Sequence, residues 1–219
     1  HSVVAQKRQV ADGYPIANFA LTVNASASGD FFGQIMQNPG TLGDWLTNRG
    51  AVMFSIEKDG RRQLFSEFSK KRIIREFPFV RNDYKGSPLT KVTFTTEAFC
   101  PLGVNDAEIS ALPVLMLEIC CSNPTSKEEH FTLVAQPDEN LAEDMISCEN
   151  DGYTGISNKH NCQITTDQTE SAWAGQRLSI PVSLRAGEKK KVKILFAFRD
   201  ENWISGINFW TLDELSSYA

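Results

Sequence analysis

Apolar residues in this chain recur at every second position along many short runs, and that period constrains the fold more than any other feature of the sequence. In Leu178-Ser-Ile-Pro-Val-Ser-Leu184 the alternation places Leu178, Ile180, Val182 and Leu184 on one face. Successive side chains of a strand point to opposite faces, so such a run suits a half-buried strand and no helix. The same reading predicts strands over Ile16–Val23, Ala51–Glu57, Arg72–Val80 and Lys91–Phe99. It continues with Val114–Cys121, His130–Ala135, Arg177–Leu184 and Lys191–Phe198. Within Lys91–Phe99, Val92, Phe94 and, less regularly, Phe99 are expected to face a core, with Thr93 and Thr95 facing out. Pro181 cannot donate to a ladder and is expected at an edge or a bulge.

Turn chemistry punctuates these runs. Lys58-Asp-Gly60 is a hairpin signal, and Ser122-Asn-Pro-Thr125 and Arg185-Ala-Gly-Glu188 read as connections. The last predicts a hairpin from Leu184 into a strand over Val192–Phe198. Many short strands with little helical period predict a mostly β chain folded as an antiparallel β-sandwich. Two stretches depart from the pattern: Asn38–Gly50 reads as a glycine-punctuated loop, and Asp138–Gly155 as an acidic segment with one helical turn over Leu141–Met145. No repeat or linker divides the chain, which places one sandwich domain at residues 1–205. Residues 206–219 then open a short linker helix, with a capping box at Thr211-Leu-Asp-Glu214 and an apolar face of Leu212, Leu215 and Tyr218. That helix has no stop signal, so a further domain is expected to follow. Phe209, Trp210, Leu212 and Leu215 are the candidate domain interface, or a surface for self-association into a homo-oligomer.

Charge and cysteine usage narrow the class. Lys and Arg number 22 against 27 Asp and Glu, a net charge of −5, which gives no basis for nucleic-acid binding. No apolar run approaches the roughly 18 residues of a membrane span. The longest, Leu112–Cys121, is strand-sized and carries Glu118. The five cysteines, Cys100, Cys120, Cys121, Cys148 and Cys162, show no metal-ligand spacing, and the adjacent pair must point to opposite faces. They read as buried free thiols in a reduced, cytoplasmic compartment; a Cys148–Cys162 bridge in a secreted protein is the alternative. No charged segment followed by an apolar one opens the chain.

The residues that carry chemistry are few. No G-x-S-x-G motif and no phosphate loop occur; Gly29-Asp-Phe-Phe-Gly33 lacks the lysine that such a loop needs. The acidic cluster of Asp138, Glu139, Glu143, Asp144 and Glu149 reads as a solvated face. His130 and His160 read as surface residues. An N-terminal His1 could chelate copper through its amine and ring, with His130 or His160 as second ligand. That is the brace of lytic polysaccharide monooxygenases, and it stands as the alternative to an expectation of no metal and no cofactor. Trp45, Trp173, Trp203 and Trp210 fall in predicted loops or at element ends. Trp45, Trp203 and Trp210 are the candidate sugar-stacking residues, core packing being the competing role of any indole.

Several phrases together resemble a known domain. Ala186-Gly-Glu-Lys-Lys-Lys-Val-Lys-Ile-Leu-Phe-Ala-Phe-Arg-Asp-Glu-Asn-Trp203, continuing to Ala219, resembles the end of the N-terminal domain of glycoside hydrolase family 52, the β-xylosidases. The related family 116, the β-glucosidases and glucosylceramidases, is similar. Ile16–Leu21, Ile74–Phe77 with Val92–Phe99, and Leu112–Ile119 with Asn123 fit the same order of strands. The resemblance implies a β-sandwich packed against an (α/α)6 catalytic barrel of the same protein. It also implies a carbohydrate substrate and retaining hydrolysis by two carboxylates. Both carboxylates belong to the barrel in those families, so the expectation for this chain is a non-catalytic domain that shapes the sugar cleft. A standalone carbohydrate-binding sandwich is the remaining alternative.

Overall fold

The computed structural model describes residues 14–17, 21–25, 31–37, 47–76, 79–103, 105–110, 112, 114–139, 146–150, 153–157, 162–174 and 176–198. These form sixteen antiparallel strands in two sheets. The first eight are β1 (Tyr14–Ala17), β2 (Leu21–Ala25), β3 (Phe31–Gln37), β4 (Thr47–Lys58), β5 (Arg61–Leu64), β6 (Lys70–Glu76), β7 (Phe79–Lys85) and β8 (Thr93–Phe99). The rest are β9 (Val114–Ser122), β10 (Glu129–Pro137), β11 (Ile146–Asn150), β12 (Tyr153–Ser157), β13 (Cys162–Thr166), β14 (Ala172–Ala174), β15 (Arg177–Leu184) and β16 (Lys189–Phe198). Sheet one runs β1-β2-β3-β4-β10-β15-β14, with β5 also on β4; sheet two runs β11-β12-β13-β16-β9-β8-β7-β6. Helix among the described residues is limited to the turns Ala107–Ser110 and Phe65–Glu67 and to Glu139; the expected turn over Leu141–Met145 lies outside the described residues. The expected β-sandwich is thus observed. The linker helix over 206–219 lies outside the described residues.

Period-two alternation fills the space between the sheets. Leu178, Ile180, Val182 and Leu184 of sheet one and Leu117, Ile119, Val192 and Ile194 of sheet two belong to one buried cluster. Aromatic rings tie the layers: Phe54 meets Phe196 edge-on at 6.1 Å, and Phe94 meets Phe131 at 5.4 Å. Phe65, Phe68, Tyr84 and Phe94 form a ring cluster with centroids 4.9–5.7 Å apart. Such offset and edge contacts add about 0.5–1.5 kcal/mol per pair beyond area burial. Pro181 sits opposite Thr132 of β10, beyond the stretch of β15 that β14 pairs, in agreement with its missing donor.

Several expectations need correction. Ile16–Val23 is a hairpin, β1 onto β2, with Ile16 opposite Val23. Arg72–Val80 likewise divides into β6 and β7, paired from Lys70↔Lys85 to Glu76↔Phe79. Pro78, without an N–H for a ladder, falls in the sequence between them. Phe99 is not on the core face: an odd step from Phe94 turns it to the other side, against Phe79 at 4.9 Å. Strands β3, β5 and β11–β14 escaped the reading, and the acidic stretch after Asp138 contains β11. The Cys148–Cys162 bridge is excluded. Their strands are separated by β12, so they stand about 9–10 Å apart laterally, beyond the roughly 7 Å a disulfide allows. The rung of Cys148 passes through Gly155 to Thr165, not to Cys162.

The three turns expected at Lys58–Gly60, Ser122–Thr125 and Arg185–Glu188 do not behave alike. Lys58-Asp-Gly-Arg61 is a two-residue hairpin, with Asp59 at φ 51° and Gly60 at φ 70°. By contrast β15 and β16 do not pair; β15 lies in sheet one and β16 in sheet two. The expected Leu184–Val192 hairpin is therefore an arch between the sheets, with Gly187 at φ 73°. β9 to β10 is a second arch beside it. Buried Asn123 joins the two. Its Nδ2 donates to the carbonyls of Lys127 (2.7 Å), Arg185 (3.0 Å) and Leu184 (3.2 Å). Its Oδ1 accepts from Thr125 N–H (3.0 Å) and the Thr125 hydroxyl (2.8 Å), while its own N–H donates to Glu188 (2.9 Å).

Candidate functional site

The outward face of sheet two holds the site. Alternation sends Thr93, Thr95 and Glu97 of β8 outward, and Glu118, Cys120 and Ser122 of β9 beside them. Strand register lines these up as rungs: Arg81–Glu97–Glu118–Lys193, then Asp83–Thr95–Cys120–Lys191, then Thr93–Ser122–Lys189. All of these residues except Lys193, together with Lys85, line a groove of about 540 Å³. Glu118 accepts from Lys191 Nζ at 2.8 Å, and that hydrogen bond and charge hold the lysine pKa above its ordinary value. Asp83 accepts from the Thr95 hydroxyl at 2.8 Å and lies 3.5 Å from Arg81 Nε. Glu97 stands directly opposite Glu118 and makes no ion pair among the described residues. The two carboxylates repel across the ladder, and cations flank them on the same rung, Arg81 beside Glu97 and Lys193 beside Glu118, while Glu97 also acts on Lys191.

One rung beyond Glu118 the same face turns apolar. Phe99, Met116 and Leu195 line up there, followed by Val114 opposite Ala197. With Leu112 these form a second buried cluster, separate from the core between the sheets. The groove thus ends abruptly against packed protein.

Two neighbouring thiols sit on opposite faces, as the adjacency of Cys120 and Cys121 requires. Cys120 reaches the groove half-buried, while Cys121 and Cys100 are free and buried in the core. Burial pushes the pKa of Cys100 and Cys121 upward, leaving both as unreactive thiols.

The residues singled out from sequence fare unevenly. Trp45, Trp203, Trp210, Phe209, Leu212, Leu215, His1 and His160 lie outside the described residues. Trp173 is not in a loop: it belongs to β14, opposite Leu178, and packs partly buried against the core. His130 is exposed on sheet one, its Nδ1 at 3.0 Å from the Ser183 hydroxyl and its Nε2 at 3.7 Å from Glu128. These side chains of His130 and Glu128 are 64% and 56% exposed, so water competes for every contact. No cluster of three or more metal-ligating side chains occurs among the described residues, and none of their helices is long and apolar enough to cross a membrane. Of the acidic stretch, Asp138 N–H donates to Ala51 at 2.8 Å and Glu149 lies on β11 opposite Thr154.

Nothing in the sequence reading pointed to the groove. Its signal was the interruption of the apolar run by Glu118 and the Lys189–Lys191–Lys193 alternation. Only the strand order β16-β9-β8-β7 makes neighbours of them.

No protein-family model and no curated protein matches the chain. Solved structures do. One is a protein assigned as a kojibiose phosphorylase, from the human microbiome, with TM-score 0.54 and 10% identity. The match covers 97% of this chain and 33% of that one, so this chain spans about a third of its length. A galactose mutarotase-related enzyme from Lactobacillus acidophilus matches with TM-score 0.51 and 9% identity, over 86% of this chain and 97% of that one. At such identities the likeness is one of fold.

Proposed function

We propose that the chain is a non-catalytic β-sandwich domain of a carbohydrate-active enzyme. In this reading the parent is a retaining glycoside hydrolase of the β-xylosidase or β-glucosidase kind, and the sandwich packs against its (α/α)6 barrel. The observation that carries it is the proportion of the match: nearly all of this chain corresponds to one third of a sugar phosphorylase. A domain that supports a larger sugar enzyme has that relation to the whole.

The groove agrees with a supporting role. A retaining glycosidase needs an acid and a nucleophile about 5–5.5 Å apart that flank the scissile bond. Glu97 and Glu118 are neighbours across a ladder, but both rise from one sheet face and would meet a sugar from the same side. Glu118 is further tied to Lys191. Side-by-side carboxylates suit hydroxyl groups as hydrogen-bond acceptors better than they suit the two steps of glycosyl transfer.

A second reading has its own support: the mutarotase-related chain is covered over 97% of its length, so a fold of this kind also stands as a whole protein. That favours a sugar-binding sandwich acting by itself. Assay of the chain on nitrophenyl xyloside and nitrophenyl glucoside separates domain from enzyme. No release above the uncatalysed rate is expected, and robust turnover abolished by Glu118→Gln would reject the non-catalytic role.

A further inference from the structure

We infer that the groove on sheet two binds a saccharide bearing an anionic group, a sugar phosphate or a uronate. Its volume, about 540 Å³, lies within the roughly 300–1,000 Å³ of small-molecule sites. The charges inside it are not evenly matched. Glu118 is bonded to Lys191, whose charge Glu97 also feels, and Asp83 lies beside Arg81, which leaves Lys85 and Lys189 as the unmatched charges at one end. Neither of these two lysines makes an ion pair among the described residues.

The cationic end carries hydroxyls as well. Thr93 and Ser122 share a rung with Lys189, and the register places Lys70 opposite Lys85. This positive pole sits in a chain of net charge −5, so it is local and not a product of overall composition. An oxyanion accepts charge-assisted hydrogen bonds from ammonium groups, while the hydroxyls add further donors. Toward the other end, Glu97 and Glu118 present carboxylate oxygens, which accept from vicinal hydroxyls of a polyol. A neutral sugar would leave the two lysines uncompensated, and a bare inorganic anion would use neither Glu97 nor Glu118 as an acceptor. One molecule with an anionic group and several hydroxyls satisfies both ends. That the polyol is a saccharide rests on the carbohydrate reading above; the anionic requirement rests on the charges alone.

The test is calorimetric titration of the chain with glucose 6-phosphate, glucuronate, glucose and inorganic phosphate. Saturable binding of either acidic sugar is expected, tighter than that of glucose or phosphate, and weakened by added salt. Which acidic sugar binds better assigns the anion as phosphate or carboxylate. The double variant Lys85→Gln/Lys189→Gln should lower affinity by about tenfold or more, and Glu97→Gln by a few-fold, as charge-assisted contacts are lost. Both lysines are exposed, so folding should survive; the Lys85→Arg/Lys189→Arg variant, which keeps the charge, should retain binding. The inference is overturned if neither acidic sugar saturates, if glucose or phosphate binds as tightly, or if the Gln double variant binds unchanged. An empty groove together with absent glycoside turnover would sink this inference and leave the supporting-domain role standing.

Discussion

Two halves of one sheet face differ sharply over the width of a single rung. On β8, β9 and β16 the outward residues Phe99, Met116 and Leu195 belong to a buried cluster; two positions along each strand stand Glu97, Glu118 and Lys193. Backbone, strand order and pairing are the same on both sides of that line. What changes is the medium each half meets, since β9 and β16 are buried on both faces at one end and open to a groove at the other. Antiparallel sheets commonly pack one face and solvate the other; here a single face does both, one half as packing surface and the other as an open groove.

The comparison breaks most forcefully at neighbouring outward positions of β16. Leu195→Asp should bury an unpaired carboxylate and cost about 3 kcal/mol or more, enough to threaten folding. Lys193→Gln, two residues away, should change stability by no more than about 0.5 kcal/mol in the same urea titration. Equal effects would erase the boundary. A gentler probe uses the adjacent thiols. In folded protein a maleimide should label Cys120 in the groove, while Cys121 and Cys100 should react only after denaturant, as peptide mass mapping would show. The smallest effect concerns Glu97. Removing its charge in Glu97→Gln relieves repulsion with Glu118 and forfeits attraction to Lys191 and Arg81, so the urea midpoint should move by no more than about 0.5 kcal/mol in stability. A loss well beyond that would mean that Glu97 holds the sheet together.

Legibility from sequence followed the range of the forces involved. Leu178–Leu184 was readable because strand alternation is local, and all four of its apolar residues are buried as expected. Asp59-Gly60 was readable because left-handed backbone needs particular residues. The Arg185–Glu188 turn looked like a hairpin because nothing local distinguishes a turn within a sheet from an arch between sheets. Phe99 was placed on the wrong face by a single odd step in its strand. The groove was illegible for a different reason: Glu97, Glu118 and Lys191 become neighbours only through β8-β9-β16 pairing, which no short motif encodes. Glu118 was visible as a charge inside an apolar run, and its meaning depended on partners far along the chain.

Asn123 gathers the chain ends of β9, β10, β15 and β16 at one end of the sandwich, so two strands from each layer share a single bolt. All four strands lie inside their sheets, so the bolt grips the middle of both layers and leaves their outer strands to be held by pairing alone. Thermal breathing should therefore begin at those outer strands, while amides beside Asn123 exchange last.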